Sequence, residues 1–407
     1  MSEWREVALG DVIELKRGYD LPSAERRPGS VPIISSSGES GLHCEAKVKG
    51  PGVVTGRYGT IGEVFLVESD FWPLNTSLYV RDFKGNDVRF IYYLLKTVNW
   101  NQYNDKSGVP GINRNHVHEA RVKLPNLAEQ QAVAHILGAL DAKIKRNCLT
   151  SETLEAMARL LFRDWFIDYG PVRFKMDGRA PYLEPNTWNL FPASLDEDNK
   201  PQGWMASSIG EEVKVVGGST PSTKEPEYWD DGNHCWATPK DLSSLKSPVL
   251  LSTERKVTNR GLSQISSGLL PTGTVLLSSR APIGYMAIAE IPTAINQGFI
   301  AMKCEKDIPN LFVLFWCKER MDLILGNANG STFQEISKSN FRPLPVVVPP
   351  KLVVDAFVTA TDPMYQTIVA NLRENKVLSS LRDSLLRKLM YGEVGIVELE
   401  KMAGAAL

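Results

Sequence analysis

The chain aligns with itself, and a sequence that carries the same pattern twice must fold as two similar units. Trp4-Arg-Glu-Val-Ala-Leu-Gly10 lies opposite Trp204-Met-Ala-Ser-Ser-Ile-Gly210, an offset of 200, with Gly18 opposite Gly218. Val31-Pro-Ile-Ile-Ser-Ser-Ser37 then matches the pattern of His234-Cys-Trp-Ala-Thr-Pro-Lys240 at an offset of 203. Both read as a buried strand running into a polar loop. Arg57-Tyr-Gly-Thr-Ile-Gly62 pairs with Arg280-Ala-Pro-Ile-Gly284, and Leu74-Asn75-Thr76 with Ile295-Asn296-Gln297, at offsets of 221 to 223. The growth in offset places roughly twenty extra residues of the second copy between Asp241 and Ser279. A scaffold that agrees while one loop region differs fits one framework presenting two binding surfaces, because loops tolerate insertion and carry function.

From Pro125 opposite Pro349 the offset stays at 224 for about forty residues. In the first copy Leu137, Leu140, Ile144, Asn147, Ser151, Leu154, Ala158, Leu161 and Trp165 advance by alternating threes and fours, which is a heptad seam. Its polar layers at Asn147 and Ser151 have counterparts at Asn371 and Asn375, and a buried Asn fixes the register and partner of a helix. Asn126 with Glu129 resembles a capping box, and Asp362-Pro363 reads as an N-cap followed by Pro at the first helical position. The expectation is two helical segments that meet along this seam with their polar layers inside. The second is expected as a short helix near 351–360, a break at Pro363, and a long helix over 363–391. About forty residues at 1.5 Å each would hold two domains roughly 60 Å apart.

The globular stretches combine short β-branched or aromatic strands with Gly, Pro and Ser loops. The organisation read from the sequence is therefore a first domain over 1–125, a spacer helix over 126–168, a connector over 169–202, a second domain over 203–349, a helical segment over 350–394 and a tail over 395–407. The connector is rich in Pro, Asn, Asp and Gly and should run over the surface. No leader pattern opens the sequence, and the longest apolar run, Leu311 to Cys317, is too short to span a bilayer, so a cytoplasmic protein without membrane contact is expected. Five scattered cysteines without a C-x-x-C pair suggest neither a disulfide framework nor a thiolate metal site.

Charge constrains any nucleic-acid role. The 46 basic and 47 acidic residues nearly cancel, residues 1–125 hold 16 Lys/Arg against 15 Asp/Glu, and residues 203–349 hold 14 against 14. A DNA binder of this composition needs a local basic face, or partner subunits that neutralise part of the phosphate charge.

Several stretches resemble the specificity subunits of type I restriction-modification systems. They are Leu154-Glu-Ala-Met-Ala-Arg-Leu-Leu-Phe-Arg-Asp-Trp-Phe166 with Pro171-Val-Arg173, Pro201-Gln-Gly-Trp204, Trp236-Ala-Thr-Pro-Lys-Asp241, and Leu385-Leu-Arg-Lys-Leu-Met-Tyr-Gly-Glu-Val394. The resemblance covers nearly the whole chain. It implies a mixed α/β (α+β) fold with two target-recognition domains alternating with two long helices, which pack as an antiparallel coiled coil in an internal pseudo-twofold repeat. It implies a bipartite, asymmetric double-stranded DNA target. The partners it implies are two methyltransferase (modification) subunits that methylate adenine and motor-nuclease (restriction) subunits. S-adenosylmethionine, ATP and magnesium would be bound by those partners and no cofactor by this chain.

Rival readings were weighed on their chemistry. A self-contained methyltransferase or nuclease would need more than Asp362-Pro-Met-Tyr365, which lacks the second Pro of D-P-P-Y and has no F-x-G-x-G companion. Glu335-Ile-Ser-Lys338 and Glu212-Val-Lys214 are carboxylate-lysine pairs that arise by chance in chains of this length. No G-x-x-x-x-G-K-[ST] loop occurs. A coiled-coil adaptor with no DNA role leaves unexplained the Arg, Lys, Ser, Asn and Gln at corresponding turns, the residue types that bond phosphates and base edges. Arg57 and Arg280, each at the same turn of its copy, lead the DNA-contact candidates, against the plainer reading of surface ion pairs. Lys16, Arg17, Tyr58, Asn113 and Arg114 join them in the first copy, and Lys224, Lys240, Gln297, Ser331 and Thr332 in the second. Phe162, Trp165, Phe166, Leu386 and Met390 are candidates for subunit contact, with ordinary helix-pair core as the alternative. No catalytic or metal-ligating residue is assigned.

Overall fold

A computed structural model describes residues 4–104, 110–330 and 334–390. The chain forms two compact units, Met1–Lys145 with Asn375–Leu407, and Arg146–Glu374, so each long helix contributes to both.

In the first unit, strands Glu14–Arg17, Ser77–Asp82, Gly52–Gly56 and Val64–Val67 form, in that order, an antiparallel sheet. A three-stranded sheet has Val31–Ser35 at its centre, antiparallel to Gly38–His43 and parallel to Trp72–Pro73. Arg5–Ala8 pairs with Arg121–Leu124, bringing the start of the domain beside the strand that leads into the first long helix. Helix Val88–Thr97 begins where Asp87 accepts from the Phe90 N–H at 2.8 Å. Its apolar face, Phe90, Ile91, Leu94 and Leu95, shares one core with Leu137, Leu389 and Met390 of the long helices.

The second unit repeats this order. Lys214–Val216, Phe299–Lys303, Val275–Ser279 and Ile283–Ala289 follow one another as in the first unit, with Val249–Leu250 added as a fifth, parallel edge strand. Arg255–Val257, His234–Ala237 and Thr293–Ile295 repeat the small sheet, and Met205–Ser208 pairs with Pro345–Val348. The extra residues of the second copy enter at one place. Ser36-Ser37 links two strands of the first small sheet, whereas residues 238–254 link their counterparts and contain both helix Pro239–Ser243 and the added strand. Thr238 and Asp241 close a capping box at that helix, the Thr238 N–H donating to Asp241 Oδ2 at 2.8 Å.

The long helices are Leu127–Phe166 and Lys351–Met390, forty residues each, beginning and ending 224 positions apart. Asn126 caps the first by accepting from the Glu129 N–H at 3.0 Å. Within the second unit Phe162 packs on Phe357 while Ser151 meets Asn371, so the two run antiparallel. The polar layers are inside: Asn147 Nδ2 donates to Glu374 Oε2 at 2.7 Å, and Asn371 Nδ2 to Ser151 Oγ at 3.2 Å. Within the first unit Asp141 joins domain and helices, accepting from the Tyr93 hydroxyl at 2.7 Å and from Arg382 at 2.8 Å. Among the described residues no helix is long and apolar enough to cross a membrane.

Two expectations are corrected here. The second helix does not break at Pro363, and Asp362 is not its N-cap, because the helix runs through both. Pro363 lies on the exposed face, where the Thr359 carbonyl that loses its N–H partner can meet water. Val353, Val354 and Phe357 before it, and Tyr365, Ile368 and Val369 after it, are all buried, and their burial outweighs the roughly 3 kcal/mol cost of an internal proline. The connector is not a surface-running strap: it carries helix Gly170–Met176, and Val172 and Phe191 enter the core of the second unit, with Phe191 edge-on to Trp165 at 5.1 Å.

Candidate nucleic-acid interface

Five of the six first-copy candidates line one cleft of about 470 Å³: Arg17, Arg57, Tyr58, Asn113 and Arg114, with Leu78, Gly111 and Ile112 beside them. The backbone of Arg57 is pinned on both sides, its N–H donating to the Thr76 carbonyl at 2.9 Å and its carbonyl accepting from the Ile112 N–H at 3.0 Å. Its guanidinium lies over the Tyr58 ring, 4.4 Å from the centroid, and donates to the Tyr58 hydroxyl at 3.3 Å and to the Asn75 carbonyl at 3.5 Å. Arg17 reaches the cleft from the exposed end of its strand and pairs with Asp20 at 3.3 Å. Lys16 does not line the cleft, because successive strand residues face opposite sides; it stands over the Tyr19 ring instead.

Asn113 is the N-cap of helix Arg114–His118, its Oδ1 accepting from the Asn115 N–H at 3.0 Å. The far end of that helix anchors it, because His118 Nε2 accepts the Leu15 N–H at 3.0 Å. Burial lowers the His118 pKa and the charge of Arg114 lowers it further, which favours the neutral ring that such acceptance requires. The run Gly56, Gly59, Gly62 is a strand turn: Gly59 and Gly62 have φ of +80° and +88°, and a Cβ on Gly56 would fall 1.8 Å from the Thr60 carbonyl oxygen.

The second copy builds the same place differently. Arg280 pairs with Glu335 at 3.8 Å, the ion pair weighed against DNA contact in the sequence. Lys240 pairs with Glu254 at 2.8 Å, which raises its pKa. Gln297 accepts from the Thr220 hydroxyl at 2.6 Å. Lys224 is exposed in a loop, and Ser331 and Thr332 lie outside the described residues. No single cleft among those described gathers these side chains. Lys338 was not among the candidates, although the offset of 224 places it opposite Arg114, just as Ser337, the N-cap of helix Lys338–Phe341, stands opposite Asn113.

The burial of the candidates for subunit contact fits the alternative of helix-pair core. Phe162 has no exposed surface, Trp165, Phe166 and Met390 are buried, and Leu386 packs partly buried against the first unit's core. Phe162 is ringed by Phe312 at 5.0 Å, Phe166 at 5.1 Å and Phe357 at 5.7 Å, so the end of the first long helix packs in the core of the second unit, as Leu386 and Met390 of the second helix pack in the core of the first. Outward-facing apolar residues of the first helix include Leu149 (54%), Met157 (48%) and Leu160 (66%), spaced to share one face, besides Leu127 at its start. Asp362 and Tyr365, of the stretch weighed above as a partial D-P-P-Y pattern, sit mid-helix, where the Tyr365 hydroxyl donates to Glu290 at 2.9 Å.

Comparison with known proteins adds family evidence. Residues 1–155 and 201–353 match the family described as the type I restriction modification DNA specificity domain. The type I restriction enzyme MjaIX specificity subunit of Methanocaldococcus jannaschii is 33% identical over 202 residues, which are 49% of this chain and 46% of that one. The HindI specificity subunit of Haemophilus influenzae is 24% identical over 474 residues, spanning 97% of this chain and all of that one. In fold, the S subunit of a type I restriction-modification system from M. genitalium superposes with a TM-score of 0.62 at 16% identity, covering 96% of each chain.

Proposed function

The chain belongs to the type I restriction modification DNA specificity family, and from that premise we propose that it reads a bipartite, asymmetric DNA target, one half with each globular domain. The observation that carries this reading is a repeated framework with unlike surfaces: the same strand orders recur, while a two-residue link in one small sheet is replaced by residues 238–254 in the other. Identical domains would read a palindrome, and unlike loops read unlike half-sites. The chain itself is non-catalytic in this reading. Two modification subunits methylate adenine and motor-nuclease subunits cleave, with S-adenosylmethionine, ATP and magnesium bound by those partners. Because the chain's charges nearly cancel, the partners also supply part of the phosphate neutralisation. The outward row of Leu149, Met157 and Leu160 is the seat we assign to a partner, in place of the buried aromatic residues.

Exchanging residues 1–125 for the matching domain of a relative, followed by methylome sequencing of a host carrying the complex, tests the reading. One half of the methylated motif changes and the other persists. A change in both halves, or in neither, refutes it. The purified chain, incubated with labelled S-adenosylmethionine and DNA, transfers no methyl group without its partners.

A further inference from the structure

We propose that the cleft formed by Arg17, Arg57 and Arg114 clamps one phosphodiester of the DNA backbone, anchoring the first domain without reading a base, and that the second domain has lost this clamp. The proposal rests on the DNA-reading function above and assigns a task to its most basic site. Shape decides between phosphate and base. Base edges lie on the floor of a major groove about 8.5 Å deep, so a side chain that reads them must project from a convex element. Arg57 does the opposite: it is half-buried in a concave cleft, with its guanidinium laid on Tyr58 and tied to the Asn75 carbonyl. What enters a concavity is the protruding sugar-phosphate ridge. A guanidinium already fixed by ring and carbonyl loses little rotamer freedom on meeting an anion, and N–H groups on both terminal nitrogens still remain for phosphate oxygens.

The two copies then differ in charge at this place. Gly111-Ile112-Asn113-Arg114 stands opposite Glu335-Ile336-Ser337-Lys338, so the first domain has no side chain where the second has a carboxylate, and that carboxylate pairs with Arg280. Arg17 stands opposite Gly217, and a Cβ there would come 2.8 Å from Lys338 Nζ, so a lysine occupies the space next to which an arginine stood. At the backbone positions of Arg17, Arg57 and Arg114 the second copy thus has Gly217, Ser279 and Lys338, while Arg280 stands where Tyr58 does in the first copy and pairs with Glu335. The second copy keeps the scaffold of the site with half of its net charge, Arg280 and Lys338 less Glu335 against three arginines less Asp20.

The test uses the chain assembled with its modification subunits and duplex DNA carrying the methylated motif. Neutral methylphosphonates are placed one at a time along the backbone. One position in the half-site of the first domain weakens wild-type binding by about tenfold, the effect of losing a charge-assisted contact. Arg57→Ala weakens binding to all sequences by a similar factor, lowers the slope of affinity against salt by about one, and is indifferent to the methylphosphonate at that position. Arg57→Lys keeps the charge and recovers part of the affinity, and Arg280→Ala changes binding far less than Arg57→Ala. The methylated motif is unchanged in every variant. A base preference that relaxes in Arg57→Ala, or additive losses from variant and methylphosphonate at every position, overturns the clamp while leaving the DNA-reading function standing. Absence of sequence-specific binding by the wild-type complex overturns both.

Discussion

Replacing Phe162 by Ala separates a core role from a docking role, because the two predict losses in different assays. The ring has no exposed surface and touches a cage of Phe166, Phe312, Phe315 and Phe357 with centroids 5.0 to 6.1 Å away. These neighbours come from both long helices and from helix Asn310–Glu319, so the cavity left by truncation is lined by three elements that cannot all collapse into it. A Phe-to-Ala change in such a site costs about 3 to 5 kcal/mol, the sum of lost transfer free energy and the cavity. At about 2 to 4 °C per kcal/mol for a unit of this size, melting of the isolated chain falls by roughly 6 to 20 °C. Leu160→Ala, two positions away on the outer face, changes stability by no more than about 0.5 kcal/mol. Thermal melts followed by tryptophan fluorescence, run beside affinity measurements with the modification subunits, give both readouts. A Phe162→Ala chain that melts within about 2 °C of wild type yet binds its partners weakly would refute the reasoning.

Three further outcomes follow from the same geometry. Pro363→Ala restores an N–H for the Thr359 carbonyl on the exposed face and is expected to raise stability by about 1 to 3 kcal/mol, measured by urea denaturation; a loss of stability contradicts the account of the unbroken helix. Tyr93→Phe removes a 2.7 Å bond to Asp141 and costs about 1 kcal/mol, and a double-mutant cycle with Arg382→Ala is expected to be non-additive because both partners share that carboxylate. His118 has a folded-state pKa below its unfolded value, so its contribution is complete above about pH 6.5 and is lost as pH falls through the lowered folded value. Acid titration of stability is therefore flatter below that pH in His118→Gln; an unchanged slope removes the neutral-ring acceptor from the account.

Much of the site was legible in the sequence because it is written twice. Arg57 and Arg280 stood out as occupants of one turn in two copies, and the same offset that aligns the helices places Lys338 opposite Arg114, a correspondence that was available and not used. Lys16 was chosen by charge and proximity alone, and the two-residue alternation of its strand sends it to the other face. The aromatic residues of the first helix stayed open between two readings for a related reason: heptad periodicity says that Phe162, Trp165 and Phe166 face something, without saying whether that is a partner or the chain's own domain.

What the sequence determined by itself is the architecture of repetition: two mixed domains, two helical segments aligned at an offset of 224, polar layers at Asn147 and Asn371, and a second copy enlarged in one region. These follow from local periodicity and from the likeness of one half to the other, which are properties of the chain alone. The tertiary structure decided the rest, because those outcomes depend on neighbours distant in the chain. Pro363 stays helical since buried side chains on both flanks outweigh a missing N–H. The connector docks because Phe191 finds Trp165. Arg57 lines a basic cleft while Arg280 pairs with a carboxylate, because a glycine in one copy and a glutamate in the other arrive at that turn from more than fifty residues away.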